Sequence, residues 1–232
     1  MSGSDDFTSQ SCVRDAQEGV REDGFFLIED GYDLAICSQI AQWMERHEAG
    51  EGEEVNYGGS ELRIWNAQLK DRRAAEFFSA CNQFLSSLEQ ADREAFNLLA
   101  IRNRALPPDD ERSRVGRWHL DSFRRQYKIF LFLSDVTAQT GPLEFIPGTH
   151  KPAFKARGLV TGRYLKPGDL VKGKRSYQVL DERWIDRLEA RGYEPTAVVC
   201  KAGTVLVIDT SAIHRARPCL EGTRYALTAY YH

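Results

Sequence analysis

No apolar run in the 232 residues is long enough to cross a bilayer, and residues 1–6 (MSGSDD) lack the apolar core of a signal peptide. Neither a membrane partner nor a secretory leader is expected. Cysteine is sparse. Cys12, Cys37, Cys81, Cys200 and Cys219 show no paired spacing, which argues against a disulfide framework or a zinc knuckle and for a reducing, cytoplasmic setting. An excess of either charge is also lacking: 31 Lys and Arg stand against 34 Asp and Glu, a net charge of -3. Without a basic excess or an aromatic-basic motif, nucleic acid is not an expected partner. Internal repeats and low-complexity tracts are absent as well. Nothing in the sequence fixes an oligomeric state.

What is present suits one globular domain. The length supports a single sizeable core, and 42% hydrophobic and 11% aromatic residues are ordinary for an enzyme. The chain changes character midway. The periodicity predicts helices over 12–23, 34–48 and 71–90, the last capped by Asp71, with strands at 25–28 and 62–65. Residues 51–59 read as a polar, Gly-rich loop. From Ala95 the chain turns β-rich, with strands expected at 96–106, 116–121, 126–133, 143–146, 197–201, 205–208 and 223–231, and one helix at 181–191. Many short strands with Gly and Pro turns suit a mainly β fold with flanking helices and a double-stranded β-helix core, a jelly roll of cupin-like form. The expected organisation is one domain over 1–232, a helical N-terminal part of about 12–92 and a jelly-roll core of about 95–231.

Within that frame His119-Leu120-Asp121 stands out. Side chains at i and i+2 of a strand share a face, so His119 and Asp121 can reach one metal. His214, far downstream, can supply a third ligand from another strand. Two imidazoles and one carboxylate leave the remaining positions of an octahedral metal open, which suits non-haem Fe(II) binding O2 and a chelating ligand together. Ten residues beyond His214 comes Arg224, with Pro218 and Gly222 bracketing a turn between them. That pattern predicts His214 and Arg224 opposite one another across a hairpin. A guanidinium binds a carboxylate in two-point fashion, so a chelating acid could bridge the metal and Arg224. A lone His-x-Asp is common by chance, and a lone Arg in a terminal strand is usually solvated. The set in one order, on expected strands, carries the reading.

With those residues in view, the chain resembles the phytanoyl-CoA dioxygenase family of Fe(II)/2-oxoglutarate oxygenases from about Gly24 to Tyr231. The likeness is strongest in Arg117-Trp118-His119-Leu120-Asp121-Ser122, in 126–133, in Gly141-Pro142-Leu143-Glu144-Phe145-Ile146-Pro147-Gly148-Thr149-His150, and in 202–209 leading to His214. The resemblance implies His119, Asp121 and His214 as iron ligands and Arg224 as the 2-oxoglutarate anchor, with Fe(II), 2-oxoglutarate and O2 required together. It also implies that the N-terminal helices buttress an outer face of a sheet. Some members carry Ser or Thr two residues after the distal His as a second carboxylate contact; here that position is Ala216, so another residue fills the role or none does. Related halogenases lose the carboxylate ligand, and the presence of Asp121 argues against halogenation.

Two further residues are candidates for cosubstrate contact. Arg102 lies on the strand before the metal-binding one, where relatives often place a polar contact; the bland alternative is a surface ion pair. Lys128 sits in an apolar strand and is costly to bury without a partner. It either points inward to a carboxylate of 2-oxoglutarate or snorkels outward. Asp209 either supports a ligand or caps a turn. Trp118 is expected on the face opposite His119, and His150 in a loop shaping the Pro-Gly turn. His47 is expected in solvent, and the terminal His232 is not a ligand candidate. The segment 151–175 is basic (Lys151, Lys155, Arg157, Arg163, Lys166, Lys172, Lys174, Arg175 against Asp169) and lies where such oxygenases often carry a substrate lid. Its stretch 158–175 is expected to be a flexible loop. A cationic lid favours an anionic substrate, and a chain short for that family points to a compact pocket and a small or medium metabolite. Hydroxylation of an unactivated C–H bond, with release of succinate and CO2, is the leading function. Desaturation, epoxidation or cyclisation would use the same ligands. A zinc-type hydrolase or isomerase, and a non-catalytic binding module on the same barrel, are the alternatives from other classes.

Overall fold

A computed structural model describes residues 7–47, 50, 53–56, 59–105, 116–161 and 178–231, the side chains of 159–161 and 178 aside. Its elements are α1 (Gln10–Glu22), β1 (Phe25–Ile28), α2 (Leu34–Arg46), β2 (Glu53–Asn56), β3 (Glu61–Ile64), a 3-10 turn (Ala67–Leu69), α3 (Arg72–Glu89), β4 (Asn97–Arg104), β5 (His119–Leu120), β6 (Tyr127–Phe132), β7 (Leu143–Phe145), α4 (Pro152–Thr161), β8 (Gln178–Val179), α5 (Glu182–Glu189), β9 (Thr196–Ala197), β10 (Val205–Asp209), β11 (His214–Ala216) and β12 (Thr223–Tyr230). The strands form two antiparallel sheets. One has the order β1-β10-β6-β12-β4-β3-β2, the other β8-β5-β11-β7-β9. The fold is the expected mainly β jelly roll with flanking helices.

Alternation along the strands decides what each face meets. In β10, Val205 and Val207 join the core shared with α1, α2 and α3, while Leu206 and Ile208 turn to the second sheet. In β6, Ile129 and Leu131 face the helices, so Lys128, Phe130 and Phe132 face the interior between the sheets. In β12, Leu227 and Ala229 face the helices and Ala226 faces the interior, which gives Arg224, Thr228 and Tyr230 the interior parity. Burying each large apolar side chain contributes about 1.5–3 kcal/mol, enough to hold the register against a one-residue slip. The outer face of the smaller sheet is closed by α4 and α5: Trp118, Leu120, Ile146 and Ile213 pack with Phe154, Ile185 and Leu188. Trp118 thus lies opposite His119, as the sequence suggested.

The N-terminal part is helical but also supplies β1, β2 and β3 to the larger sheet. Residues 53–56, read as loop, are a strand. Glu53-Glu54-Val55-Asn56 shows no apolar alternation because β2 is an edge strand, held by its ladder to β3 rather than by burial. The expected flexible loop at 158–175 is overlapped by α4, which runs to Thr161; residues 162–175 lie outside the described residues. Lys151 and Lys155, from the basic segment, are tied into the fold. Lys151 pairs with Glu22 at 3.3 Å, and Lys155 is buried. His150 is buried too. Its Nε2 lies 3.1 Å from the Arg21 carbonyl oxygen, and its ring fills the space beside Gly24, where a Cβ would come within 2.7 Å of Nδ1.

Candidate metal centre

Three donor groups meet in the interior. His119 on β5 is the direct antiparallel partner of His214 on β11, and the two rings are 4.3 Å apart. Leu120 faces the outer core, so His119 and Asp121 both turn inward. Asp121 lies just past the strand, its amide donating to the Thr210 carbonyl oxygen at 3.0 Å. Asp121 Oδ1 is 3.6 Å from His119 Nε2, and Oδ2 is 3.8 Å from His214 Nε2. One ligand atom from each residue lies within 4.8 Å of the other two, a spacing that can hold a metal ion.

The tautomers suit coordination. His119 Nδ1 is 2.8 Å from the Arg117 carbonyl oxygen, and His214 Nδ1 is 2.9 Å from that of Ala212. A carbonyl only accepts, so each Nδ1 carries the proton and each Nε2 lone pair faces the centre. Burial pushes the His214 imidazole down to about 3 and lowers that of His119. Burial alone would raise Asp121, but the Lys128 ammonium, the His214 imidazole and then His119 outweigh it, and the carboxyl is held below its usual range. All three groups are therefore in the deprotonated state that metal binding needs. His214 is nearly sealed, with a side chain 4% exposed, while His119 and Asp121 are 19% and 16% exposed, so the centre opens on the His119–Asp121 side.

Lys128 does point inward. Its Nζ lies 2.6 Å from Asp121 Oδ2, an ion pair by charge and distance rather than by hydrogen-bond angle, and 4.8 Å from the centre of the Tyr230 ring.

Arg224 also faces the interior, but the expected hairpin is not formed. β11 pairs with β5 and β7, whereas β12 pairs with β4 and β6, so His214 and Arg224 belong to opposite sheets. The intervening chain is captured by 137–142 instead of folding back on itself. Arg217 N donates to the Pro142 carbonyl oxygen, and the amides of Leu220 and Glu221 both donate to that of Gln139. Gly141 at φ +75° makes this close approach possible; a Cβ there would come within 2.7 Å of the Arg217 oxygen. Arg224 pairs in register with Asn103, and its Nη2 donates to Asn103 Oδ1 at 2.8 Å. Asn103 Nδ2 in turn donates to Glu61 Oε2 at 3.0 Å. Arg224 Nε is buried without a hydrogen-bond partner among the described residues. Burial lowers the guanidinium from its usual value without discharging it.

Arg102 is not brought to the site. It shares parity with Leu98 and Ala100, which face the helices; its Nη1 reaches the Met44 carbonyl oxygen and Glu45 Oε2, each at 3.4 Å. It is an ion-pair residue on the outer face, and the cosubstrate role is withdrawn. Asp209 caps a turn: its Oδ1 accepts from Ser211 N at 3.0 Å and from Gln126 N at 3.3 Å. His47 is not simply solvated; Nε2 sits 3.0 Å from Glu53 Oε1. Sequence reasoning missed Asn103 and Glu61, whose importance depends on strand pairing. It also missed Tyr230, which its even spacing from Arg224 on one strand could have revealed.

The family model described as Phytanoyl-CoA dioxygenase (PhyH) matches residues 20–220. Solved structures share the fold at low identity. The epimerase SnoN, in complex with Fe3+, alpha ketoglutarate and nogalamycin RO, superposes with a TM-score of 0.71 at 16% identity, covering 96% of this chain and 84% of that one. The carbocyclase SnoK from nogalamycin biosynthesis gives 0.66 at 16% identity over 94% and 83%. A prolyl-4-hydroxylase of Pseudomonas putida gives 0.59 at 14% over 95% and 98%. No curated protein matches the chain by sequence. With the family model spanning most of the chain, the protein belongs to the phytanoyl-CoA dioxygenase family of Fe/2-oxoglutarate-dependent oxygenases.

Proposed function

We propose that His119, Asp121 and His214 hold Fe(II), that Arg224 and Lys128 bind 2-oxoglutarate, and that the protein hydroxylates a C–H bond of a small anionic metabolite. One observation carries this reading. Two imidazole lone pairs and a carboxylate converge in the interior of a barrel whose opposite sheet presents a buried guanidinium with a spare donor. Iron at such a centre, with 2-oxoglutarate and O2, supplies the oxidising power that turns C–H into C–OH while the keto acid leaves as succinate and CO2.

The protein's own share is binding and orientation. Arg224 takes the far carboxylate of the keto acid, held in place by Asn103. Lys128 stands beside Asp121, at the other end of β12 from Arg224, so it serves a carboxylate at the metal end. Ala216 leaves the second hydroxyl contact of some relatives unfilled. The anionic character of the substrate is inferred from the charge of Arg163, Lys166, Lys172, Lys174 and Arg175 in the sequence alone, since these lie outside the described residues. The free state of all five cysteines supports a cytoplasmic setting.

A second reading, ring closure or another 2-oxoglutarate-driven oxidation at the same ligands, is favoured by the likeness to an epimerase and a carbocyclase. The first test needs no substrate. Fe(II) and then 2-oxoglutarate are added to metal-free protein under anaerobiosis. A weak visible charge-transfer band appearing only with both supports the assignment, and Asp121→Ala should abolish it while leaving the melting temperature of the metal-free protein within a few degrees. A full band in Asp121→Ala would remove Asp121 from the ligand set. Bound metal with no band in the wild type would favour zinc-type chemistry.

A further inference from the structure

Lys128, which contacts Asp121, also contacts a group of aromatic rings that the assignments above leave unused. Lys128, Tyr230 and Asn97 are register neighbours across β6, β12 and β4, so they lie at one level on the rim of the larger sheet. The Tyr230 ring has Lys128 Nζ 4.8 Å from its centre, Phe96 at 5.7 Å, edge-on, and Trp65 at 6.2 Å, tilted. Lys128 in turn contacts Asp121. The aromatic group is therefore continuous with the site through two contacts. Its rings are not core: Phe96 is 47% exposed and Trp65 and Tyr230 are partly buried, whereas Phe132, on the same interior face, is buried. One exposed ring and two half-exposed ones beside a polar centre carry a hydration cost that a ligand would relieve.

We propose that Tyr230, Phe96 and Trp65 form the substrate platform, and that the substrate presents a flat unsaturated ring to it. The proposal rests on the triad being the metal centre, because that places the reacting carbon beside the platform. Aromatic faces prefer offset or edge-on partners at centroid separations of about 4.5–7 Å, the range these rings already occupy among themselves. An open-chain substrate would gain only non-directional burial there. A planar ring gains both burial and a fixed orientation, and a fixed orientation selects which C–H bond faces the metal.

The test compares two neutral probes, each bearing one hydroxyl: 2-naphthol, which is flat, and 1-octanol, which is not. Protein loaded with Mn2+ and 2-oxoglutarate is titrated into each, and proton line broadening reports proximity to the paramagnetic ion. The expected result is a dissociation constant at least tenfold lower for 2-naphthol, with its ring protons broadened. Tyr230→Ala and Phe96→Ala should each weaken 2-naphthol three- to tenfold, and Tyr230→Phe should restore it. Phe96 is exposed, so its variant tests the platform even should Tyr230→Ala fail to fold. Equal affinity for the two probes, or unchanged 2-naphthol affinity in a folded Phe96→Ala that still holds Mn2+, overturns the proposal. A Mn2+ resonance signal unchanged from the free aqueous ion would sink the metal reading instead. The platform is then judged in metal-free protein by energy transfer from tryptophan to 2-naphthol. Loss of transfer in Trp65→Phe supports the platform, and undiminished transfer overturns it.

Discussion

Lys155 is a buried ammonium beside the strands that carry the candidate metal centre. Its Nζ donates to the Phe123 carbonyl oxygen at 2.9 Å and to Ser211 Oγ at 2.5 Å, joining the segment after Asp121 to the turn before His214. Burial pushes its amine down to about 8 from 10.5, more than the opposing effect of Asp209 can restore. In the unfolded chain the amine stays protonated up to about 10.4. Between those values the unfolded state binds one more proton than the folded state, so stability rises with pH across that window and the cost of burying the charge is fully felt below it. Denaturant melts of wild type and Lys155→Met at pH 7.5 and 9.5 should show the difference moving in favour of wild type by about 2 kcal/mol. A difference independent of pH would mean the amine titrates as if in water. Nothing in the sequence marked Lys155 apart from the other cations of 151–175, because its burial depends on α4 lying over two distant segments. His119 and Asp121 were legible, since the i, i+2 rule is local to one strand. Arg102 was misread for an equally physical reason: Leu98-Leu99-Ala100-Ile101 is apolar on both faces, and such a strand does not declare which side is inside.

Among the elements, α3 shows how a helix start is written in sequence. Asp71 takes an extended conformation and its Oδ1 accepts from the amides of Arg73, at 2.9 Å, and Ala74, at 3.2 Å. The helix buries Ala74, Phe77, Cys81, Phe84, Leu85 and Leu88, an i, i+3, i+4 stripe against the sheet, and Gln90 ends it in the left-handed region. Asp71 also pairs with the Arg73 side chain. The two roles separate by substitution. Asp71→Ala should cost about 1 kcal/mol, a fall of about 2–4 °C in Tm for a chain of this size, and Asp71→Ser should recover most of it because a hydroxyl caps as well. Equal losses in both variants would assign the stabilisation to the ion pair. Cap and stripe made α3 legible to within a residue at each end. β2 was not legible, because an edge strand of Glu and Asn is defined by its partner. α4 was not, because Gly158 and the surrounding cations read as loop until Phe154 is seen packing on Ile185 and its neighbours.

At the scale of the whole molecule, the separation of His214 and Arg224 onto facing sheets gives the site its shape. A hairpin would have placed the guanidinium beside the imidazole. Two sheets place it on the facing sheet instead, with the interior parity and its Nε buried. That pairing was hidden from the sequence because a turn signal such as Pro218 to Gly222 fits both a hairpin and a crossing between sheets. It carries its own prediction through Asn103, a residue that touches neither the triad nor, in this reading, the keto acid. Glu61 accepts from the Asn103 amide nitrogen, so the amide oxygen is turned to Arg224 and holds one end of the guanidinium, leaving Nε for a ligand. Arg224→Ala removes a charge-assisted contact of about 1.5–3 kcal/mol and should weaken 2-oxoglutarate by roughly 10- to 150-fold, read by titrating the charge-transfer band of the Fe(II) protein. Asn103→Leu keeps the charge but loses its orientation, about 1 kcal/mol, and should weaken the cosubstrate roughly five-fold while leaving Fe(II) affinity unchanged. Since Asn103 acts only through Arg224, the double variant should be no worse than Arg224→Ala alone. Additive losses would show Asn103 contacting the keto acid directly, and unchanged affinity in Arg224→Ala would leave the guanidinium a structural residue of the barrel floor.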